Sequence, residues 1–199
     1  MKLATVMTLV SVFGLTLAGQ DANQKNLLLD EGFETVKVNN KGVVYSPYIY
    51  PTVKLKTGEE FIYIRGKREV AAGKFSLKMT NTKEQGAFFI MADKIIPACK
   101  KDEQYVLSAD VRGTGYVQLA LVNYTAKDKF LGTVGGTELK GKPGISKKKP
   151  LNTEEWTTIY FRCPRHSKTP DDGKCKLAIF AYAKSEVYID NIKIWTEKK

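Results

Sequence analysis

Apolar and polar residues alternate with a period of two along most of this 199-residue chain, the pattern of strands that turn one face inward. The clearest stretch runs from Gln104 to Tyr124. Tyr105, Leu107, Ala109 and Val111 alternate there with Val106, Ser108, Asp110 and Arg112. After Gly113-Thr114-Gly115, Val117, Leu119 and Leu121 alternate with Tyr116, Gln118, Ala120, Val122 and Tyr124. The spacing predicts two adjacent strands that bury their apolar sides and present Asp110, Arg112, Tyr116, Gln118 and Tyr124 on one common surface. Aromatic rings beside hydrogen-bonding groups on a fixed surface suit a sugar, whose C–H faces stack and whose hydroxyls need partners. Taken singly, Asp110 and Arg112 fit equally well as solvated strand residues.

The same alternation, or short runs rich in Val, Ile, Phe and Tyr between turn residues, predicts strands throughout. They fall near 26–29, 33–36, 43–45, 53–56, 61–65, 75–80, 87–92, 105–112, 116–124, 156–162, 176–183 and 186–195. No amphipathic helix and no internal repeat appears. Many short strands in one domain predict an all-β fold, an antiparallel β-sandwich. The tight Ala183-Lys184-Ser185-Glu186 connection predicts that the last two strands form a hairpin.

Residues 1–18 have a different character: Lys2, an apolar run from Leu3 to Leu17, and small residues at Thr16 and Ala18. That is the layout of a secretory signal peptide cut after Ala18, with Gly19 and Ala22 as alternative cleavage positions. Gln20 stands where a lipoprotein would carry cysteine, and the run is short for a bilayer span of ~20 residues. The expectation is a secreted, periplasmic or extracellular protein with no membrane span in its mature part, residues 19–199.

The net charge of +11 adds an electrostatic element, because lysines crowd between Lys127 and Lys149 in a segment with no predicted strand. This segment reads either as a solvated loop or as a guide toward an anionic polysaccharide. Nucleic acid is excluded as a partner, since no nucleic-acid motif accompanies the lysines and the leader implies export. Of Cys99, Cys163 and Cys175, the last two bracket an 11-residue connection, so a Cys163–Cys175 disulfide is the favoured pairing, with Cys99 free. Such a bridge contributes on the order of 3 kcal/mol in the chain-entropy account. A zinc site using Cys163, His166 and Cys175 is the weaker alternative, because close cysteine pairs are missing.

Catalytic signatures are absent. His166 is the only histidine, and no nucleophile elbow, zinc-protease motif, phosphate loop or dinucleotide fingerprint occurs. A two-carboxylate glycosidase needs only two acids at a defined separation, but Glu59-Glu60, Asp102-Glu103, Glu154-Glu155 and Asp171-Asp172 all read as turn or strand-edge charges. The protein is expected not to be an enzyme.

One succession of short motifs spans nearly all of the mature chain. It comprises Asn26-Leu27-Leu28-Leu29, Gly32-Phe33-Glu34, Gly73-Lys74-Phe75-Ser76-Leu77-Lys78, Tyr105 to Arg112, Glu155-Trp156-Thr157 and Tyr188-Ile189-Asp190-Asn191-Ile192. It resembles the carbohydrate-binding modules of the family 4/9/22 type, galactose-binding-like jelly rolls. That resemblance implies a structural calcium ion held by Glu34 and Asp190, with carbonyls of the 65–73 turn supplying further oxygens. A carboxylate paired with a lysine is the alternative at each position. The resemblance also implies a ligand cleft across one sheet, with a stacking tryptophan after Ser108-Ala109; here Asp110 stands at that position, which leaves the sugar open.

Other rings are candidates for the missing platform. Tyr45, Tyr48 and Tyr50 fall in a proline-containing segment expected at an edge or loop beside the cleft, where Tyr48 and Tyr50 would clamp a sugar or pack over the rim. Tyr182 shares a strand face with Phe180, whereas Trp156 and Trp195 fall at strand ends, where core plugs are common. Asn123-Tyr124-Thr125 matches a glycosylation sequon. The reading is thus a secreted, non-catalytic polysaccharide or cell-surface glycan binder. A cell-envelope adhesion scaffold and a small polysaccharide hydrolase or lyase are the alternatives.

Overall fold

The computed structural model describes residues 27–34, 37–38, 44–45, 49–51, 56–64 and 69–199. The leader expected at 1–18, together with Tyr48, lies outside the described residues, and Tyr50 is described only as a strand position. The strands are β1 (Leu27–Glu31), β2 (Lys37–Val38), β3 (Val44–Tyr45), β4 (Ile49–Pro51), β5 (Glu59–Ile64), β6 (Ser76–Asn81), β7 (Ala87–Ala92), β8 (Ile96–Pro97), β9 (Glu103–Gly115), β10 (Val117–Tyr124), β11 (Phe130–Gly135), β12 (Thr137–Glu138), β13 (Leu151–Pro164), β14 (Lys174–Tyr182) and β15 (Ser185–Lys198). Among the described residues there is no helix, and so none long and apolar enough to cross a membrane.

Two antiparallel sheets make the sandwich. One has the order β12-β13-β9-β15-β6-β5, with β1 also pairing β15; the other has the order β11-β10-β14-β7-β4, with β8 also pairing β14. Alternation decides which side chains lie between them. Tyr105, Leu107, Ala109, Val111, Ile159, Phe161, Val187 and Ile189 from the β9 sheet meet Phe88, Ile90, Val117, Leu119, Leu121, Leu177, Ile179 and Ala181 from the β10 sheet in one core. Burial of these apolar surfaces at about 25 cal/mol per Å² is the main stabilising contribution. The all-β antiparallel sandwich expected from the sequence is the fold observed.

The two strands of the 104–124 stretch do not pair, however. β9 belongs to one sheet and β10 to the other, so Gly115 and Tyr116 carry the chain across the sandwich. The same happens between β14 and β15, where a hairpin was expected, and between β6 and β7. These crossings meet at one end. The Tyr116 N–H donates to Ser185 Oγ (2.9 Å), the Tyr182 N–H to the Tyr116 carbonyl (3.0 Å), and the buried Asn81 amide to the Ala181 carbonyl (3.1 Å). Packing there is too close for a side chain at Gly115: it has φ +102°, and a Cβ would stand 2.5 Å from Ser185 Cα.

The lysine-rich segment is also more ordered than expected. β11 pairs β10, β12 pairs β13, and Ser146 and Lys149 bridge across a tight turn. Ile145, 4% exposed, anchors that turn in the core, leaving Lys147, Lys148 and Lys149 exposed. Polarity alone marked this region as loop, yet β11 and β12 are edge strands held by backbone pairing.

Candidate functional site

The outer face of the β10 sheet carries a second apolar layer. In register across β10, β14 and β7, Gln118 neighbours Phe180, which neighbours Phe89; in the next row Ala120 neighbours Ala178, then Met91, then the strand position of Tyr50. Ala120, Val122 and Ala178 are buried beneath Phe89, Met91, Tyr124 and Phe180, which remain half-exposed. The Phe89 and Phe180 rings stack with centroids 4.9 Å apart. A sandwich fills its core with inward residues, so apolar rings assembled on an outward face make that face a candidate surface for a partner.

At the crossing end of this face the rings gain polar neighbours. Tyr116 and Tyr182 lie 4.4 Å apart, and half-burial holds both phenols above their ordinary pKa, so they are hydroxyl donors at neutral pH. The Tyr182 hydroxyl donates to Gln118 Oε1 (2.9 Å), while Gln118 Nε2 donates to the Gly136 carbonyl (2.9 Å). This fixes the glutamine amide beside the rings. Lys147, from the 146–149 turn, places its ammonium 5.1 Å from the Tyr182 ring centroid. At the other end Tyr124 meets the edge of Phe130, which is 60% exposed.

Of the residues expected to share one surface, Tyr116, Gln118 and Tyr124 do so, and Tyr182 lies with them. Asp110 and Arg112 do not, because they project from the β9 sheet, on the opposite side of the sandwich. Asp110 accepts hydrogen bonds from Thr158 Oγ1 (2.6 Å) and Asn191 Nδ2 (2.7 Å), a structural role. Arg112 lies with Trp156 and Tyr188 instead. Phe89, Phe180 and Met91 were missed as site residues, because Ala87–Ala92 and Leu177–Ala181 are apolar on both faces. Asn123 of the sequon is 2% exposed, donates to the Leu121 carbonyl (2.8 Å) and accepts from Thr169 Oγ1 (3.3 Å).

Glu34 and Asp190 are engaged by backbone hydrogens of one loop. Glu34 Oε1 accepts from the N–H groups of Lys74 (2.7 Å) and Phe75 (3.1 Å). Asp190 Oδ2 accepts from Ala71 (2.9 Å) and Ala72 (3.1 Å), and its Oδ1 from Asn191 (2.8 Å). A calcium ion takes about six to eight oxygens. Here amide hydrogens occupy three of the carboxylate oxygens, among the described residues no three His, Cys, Asp or Glu side chains converge, and residues 65–68 of the turn expected to add carbonyls lie outside the described residues. Burial raises the pKa of Asp190, against the opposing pull of its three N–H donors; burial likewise raises that of Glu31, against the Phe33 N–H.

The expected Cys163–Cys175 disulfide is not formed. All three cysteines are free and buried. Cys163 stands on β13 and Cys175 on β14, in opposite sheets, and the Cys163 thiol donates to the Val134 carbonyl (3.0 Å). Burial pushes both thiols up to about 12. The zinc alternative has no converging ligand set among the described residues either.

No known family profile matches the chain, and no curated protein sequence matches it. Solved structures do. A candidate sugar-binding protein of Bacteroides thetaiotaomicron superposes with TM-score 0.50 at 15% identity, covering 87% of this chain and 100% of that one. The CBM22-1 xylan-binding domain of Paenibacillus barcinonensis Xyn10C is similar at TM-score 0.48 and 12% identity, covering 87% of this chain and 96% of that one. The CBM22-1–GH10 modules of Clostridium thermocellum endo-1,4-beta-D-xylanase 10B, complexed with xylohexaose, are similar at TM-score 0.48 and 14% identity. The match covers 87% of this chain but 28% of that longer one, and for a bacteriophage CBA120 tailspike protein 19% of the partner's length. The protein is an antiparallel β-sandwich of the jelly-roll type, a fold it shares with the Bacteroides protein.

Proposed function

We propose that the protein is an exported, non-catalytic carbohydrate-binding module that lays a polysaccharide along the outer face of the β10 sheet. The observation that carries this reading is the aromatic layer on that face, with Gln118 fixed beside Tyr116 and Tyr182. Half-exposed rings stack on sugar C–H faces, while an oriented amide and two phenol hydroxyls pair with sugar hydroxyls. The face carries tyrosine, phenylalanine, methionine and glutamine, which hold a glycan without supplying the two carboxylates of glycoside cleavage. The fold shared with a candidate sugar-binding protein is compatible with this use. The leader-like segment at 1–18 supports export.

The lysines make the preferred glycan an anionic one. Lys147 stands over Tyr182 at the rim of the layer, and Lys148 and Lys149 share its exposed turn. A uronate or sulfate group on a chain stacked against Tyr182 would lie within reach of this cluster. The test is a glycan array of neutral, uronate and sulfated polysaccharides at low and high salt. Binding of charged glycans that weakens with salt supports both parts of the reading; salt-resistant binding of neutral glycans removes the lysine part. No binding at either salt removes the whole and favours an envelope scaffold.

A further inference from the structure

The other side of the sandwich carries a cavity of about 670 Å³ on the outer face of the β9 sheet. A bulge makes it. β13 pairs with β9 at Thr157↔Val111 and again at Thr153↔Gly113, so Glu154, Glu155 and Trp156 oppose the single residue Arg112. Extra residues of this kind lift a strand out of its ladder and re-aim side chains, which is why bulges collect at sites. Here they stand a tryptophan away from the core it was expected to plug.

Arg112 lies at the centre of the arrangement. Its guanidinium is 4.4 Å from the Tyr188 ring centroid and 5.7 Å from that of Trp156. Its buried Nε has no hydrogen-bond partner among the described residues. Two acids of the same sheet are engaged elsewhere. Asp110 accepts from Thr158 and Asn191, and Glu186 pairs with Lys78 at 2.8 Å.

We propose that this cavity is a second carbohydrate site, taking a neutral sugar unit of a glycan chain. Its volume lies within the range of about 300–1,000 Å³ usual for small-ligand clefts. Trp156 offers a ring to stack a sugar's C–H face, and Arg112 and Asn152 offer N–H donors. Glu154 and Glu155, both exposed, line the same cavity and offer acceptors. Sugar hydroxyls donate and accept, so they use both kinds of group. Two carboxylates against one guanidinium disfavour an anion, which separates this site from the lysine-flanked face opposite. The proposal does not rest on the reading of that face, and a domain holding sugars on both would bridge two glycan chains.

The test is an NMR titration of the ¹⁵N-labelled protein with xylohexaose and, separately, cellohexaose, up to about 10 mM, which fills any millimolar site. The expected result is saturable movement of the Trp156 indole N–H and the Arg112 Nε–H with at least one of the two. Trp156→Ala and Arg112→Lys should each weaken that binding by about tenfold or more, the latter keeping the charge and the fold while losing the planar fork. Resonances of Trp156 and Arg112 that stay still with both sugars overturn the proposal, as does binding that folded Trp156→Ala and Arg112→Lys retain in full. Movement at this cavity supports the proposal whether or not Tyr116 and Tyr182 also move, since failure of the anionic reading of the aromatic face shows separately on the charged-glycan array.

Discussion

Replacing Tyr182 by alanine isolates the part of the aromatic layer most directly tied to glycan binding. The side chain touches Tyr116, orients Gln118 through its hydroxyl and lies under the Lys147 ammonium. A sugar stacked against the exposed part of its ring covers roughly 60 Å², and at about 25 cal/mol per Å² that burial contributes about 1.5 kcal/mol, close to tenfold in Kd. Tyr182→Phe keeps the ring and loses only the bond to Gln118, whose Nε2 remains anchored on the Gly136 carbonyl; a loss of about threefold or less is expected. Isothermal titration with the tightest glycan from the array measures both, and a thermal melt confirms folding. If folded Tyr182→Ala binds as the wild type does, the outer face of the β10 sheet is not the binding surface.

Other consequences can be measured independently. Asp190→Ala leaves the Ala71, Ala72 and Asn191 N–H groups without their acceptor on a partly exposed loop, so urea denaturation should show a loss of about 2–3 kcal/mol. Because the folded-state pKa of Asp190 is raised, its stabilising contribution is complete below the ordinary carboxylate range and lost as pH rises through the raised value; the gap between wild type and Asp190→Ala should therefore narrow from about pH 4 upward. A gap that widens with pH contradicts the burial argument. Calcium at saturation should move the thermal midpoint by less than about 1 °C, and a rise of several degrees would restore Glu34 and Asp190 as cation ligands. With Cys163 and Cys175 held up at about 12 and all three thiols buried, a thiol reagent near pH 8 should leave the native protein unlabelled; unfolding without reductant should expose three reactive thiols, whereas a single one mapped to Cys99 would show that the Cys163–Cys175 bridge forms.

The alternation around Tyr105–Val111 and Val117–Leu121 was sufficient to divide inward from outward residues, since successive side chains of a strand must point to opposite faces. It also made Tyr116, Gln118 and Tyr124 legible as outward groups, whereas on the strand of Tyr182 both faces are apolar enough that the pattern left open which one is core. The rings of Phe89 and Phe180 were not readable from the same pattern, because Ala87–Ala92 and Leu177–Ala181 are apolar on both faces. Edge strands β11 and β12, polar and glycine-rich, carried no alternation to read, because their order comes from the backbone of β10 and β13.

What sequence alone determined, then, was the all-β class and, for strands that alternate apolar with polar residues, the side that faces the core. What only the tertiary structure decided was which sheet each strand joins. Both sheets turn an apolar face to the same core, so the local pattern is identical whether a strand continues its own sheet or crosses to the other. Arg112 and Tyr116 are four positions apart and both face outward, yet Gly113, Gly115 and the contacts of Ser185 send them to opposite sides of the molecule. One expected surface thereby became two.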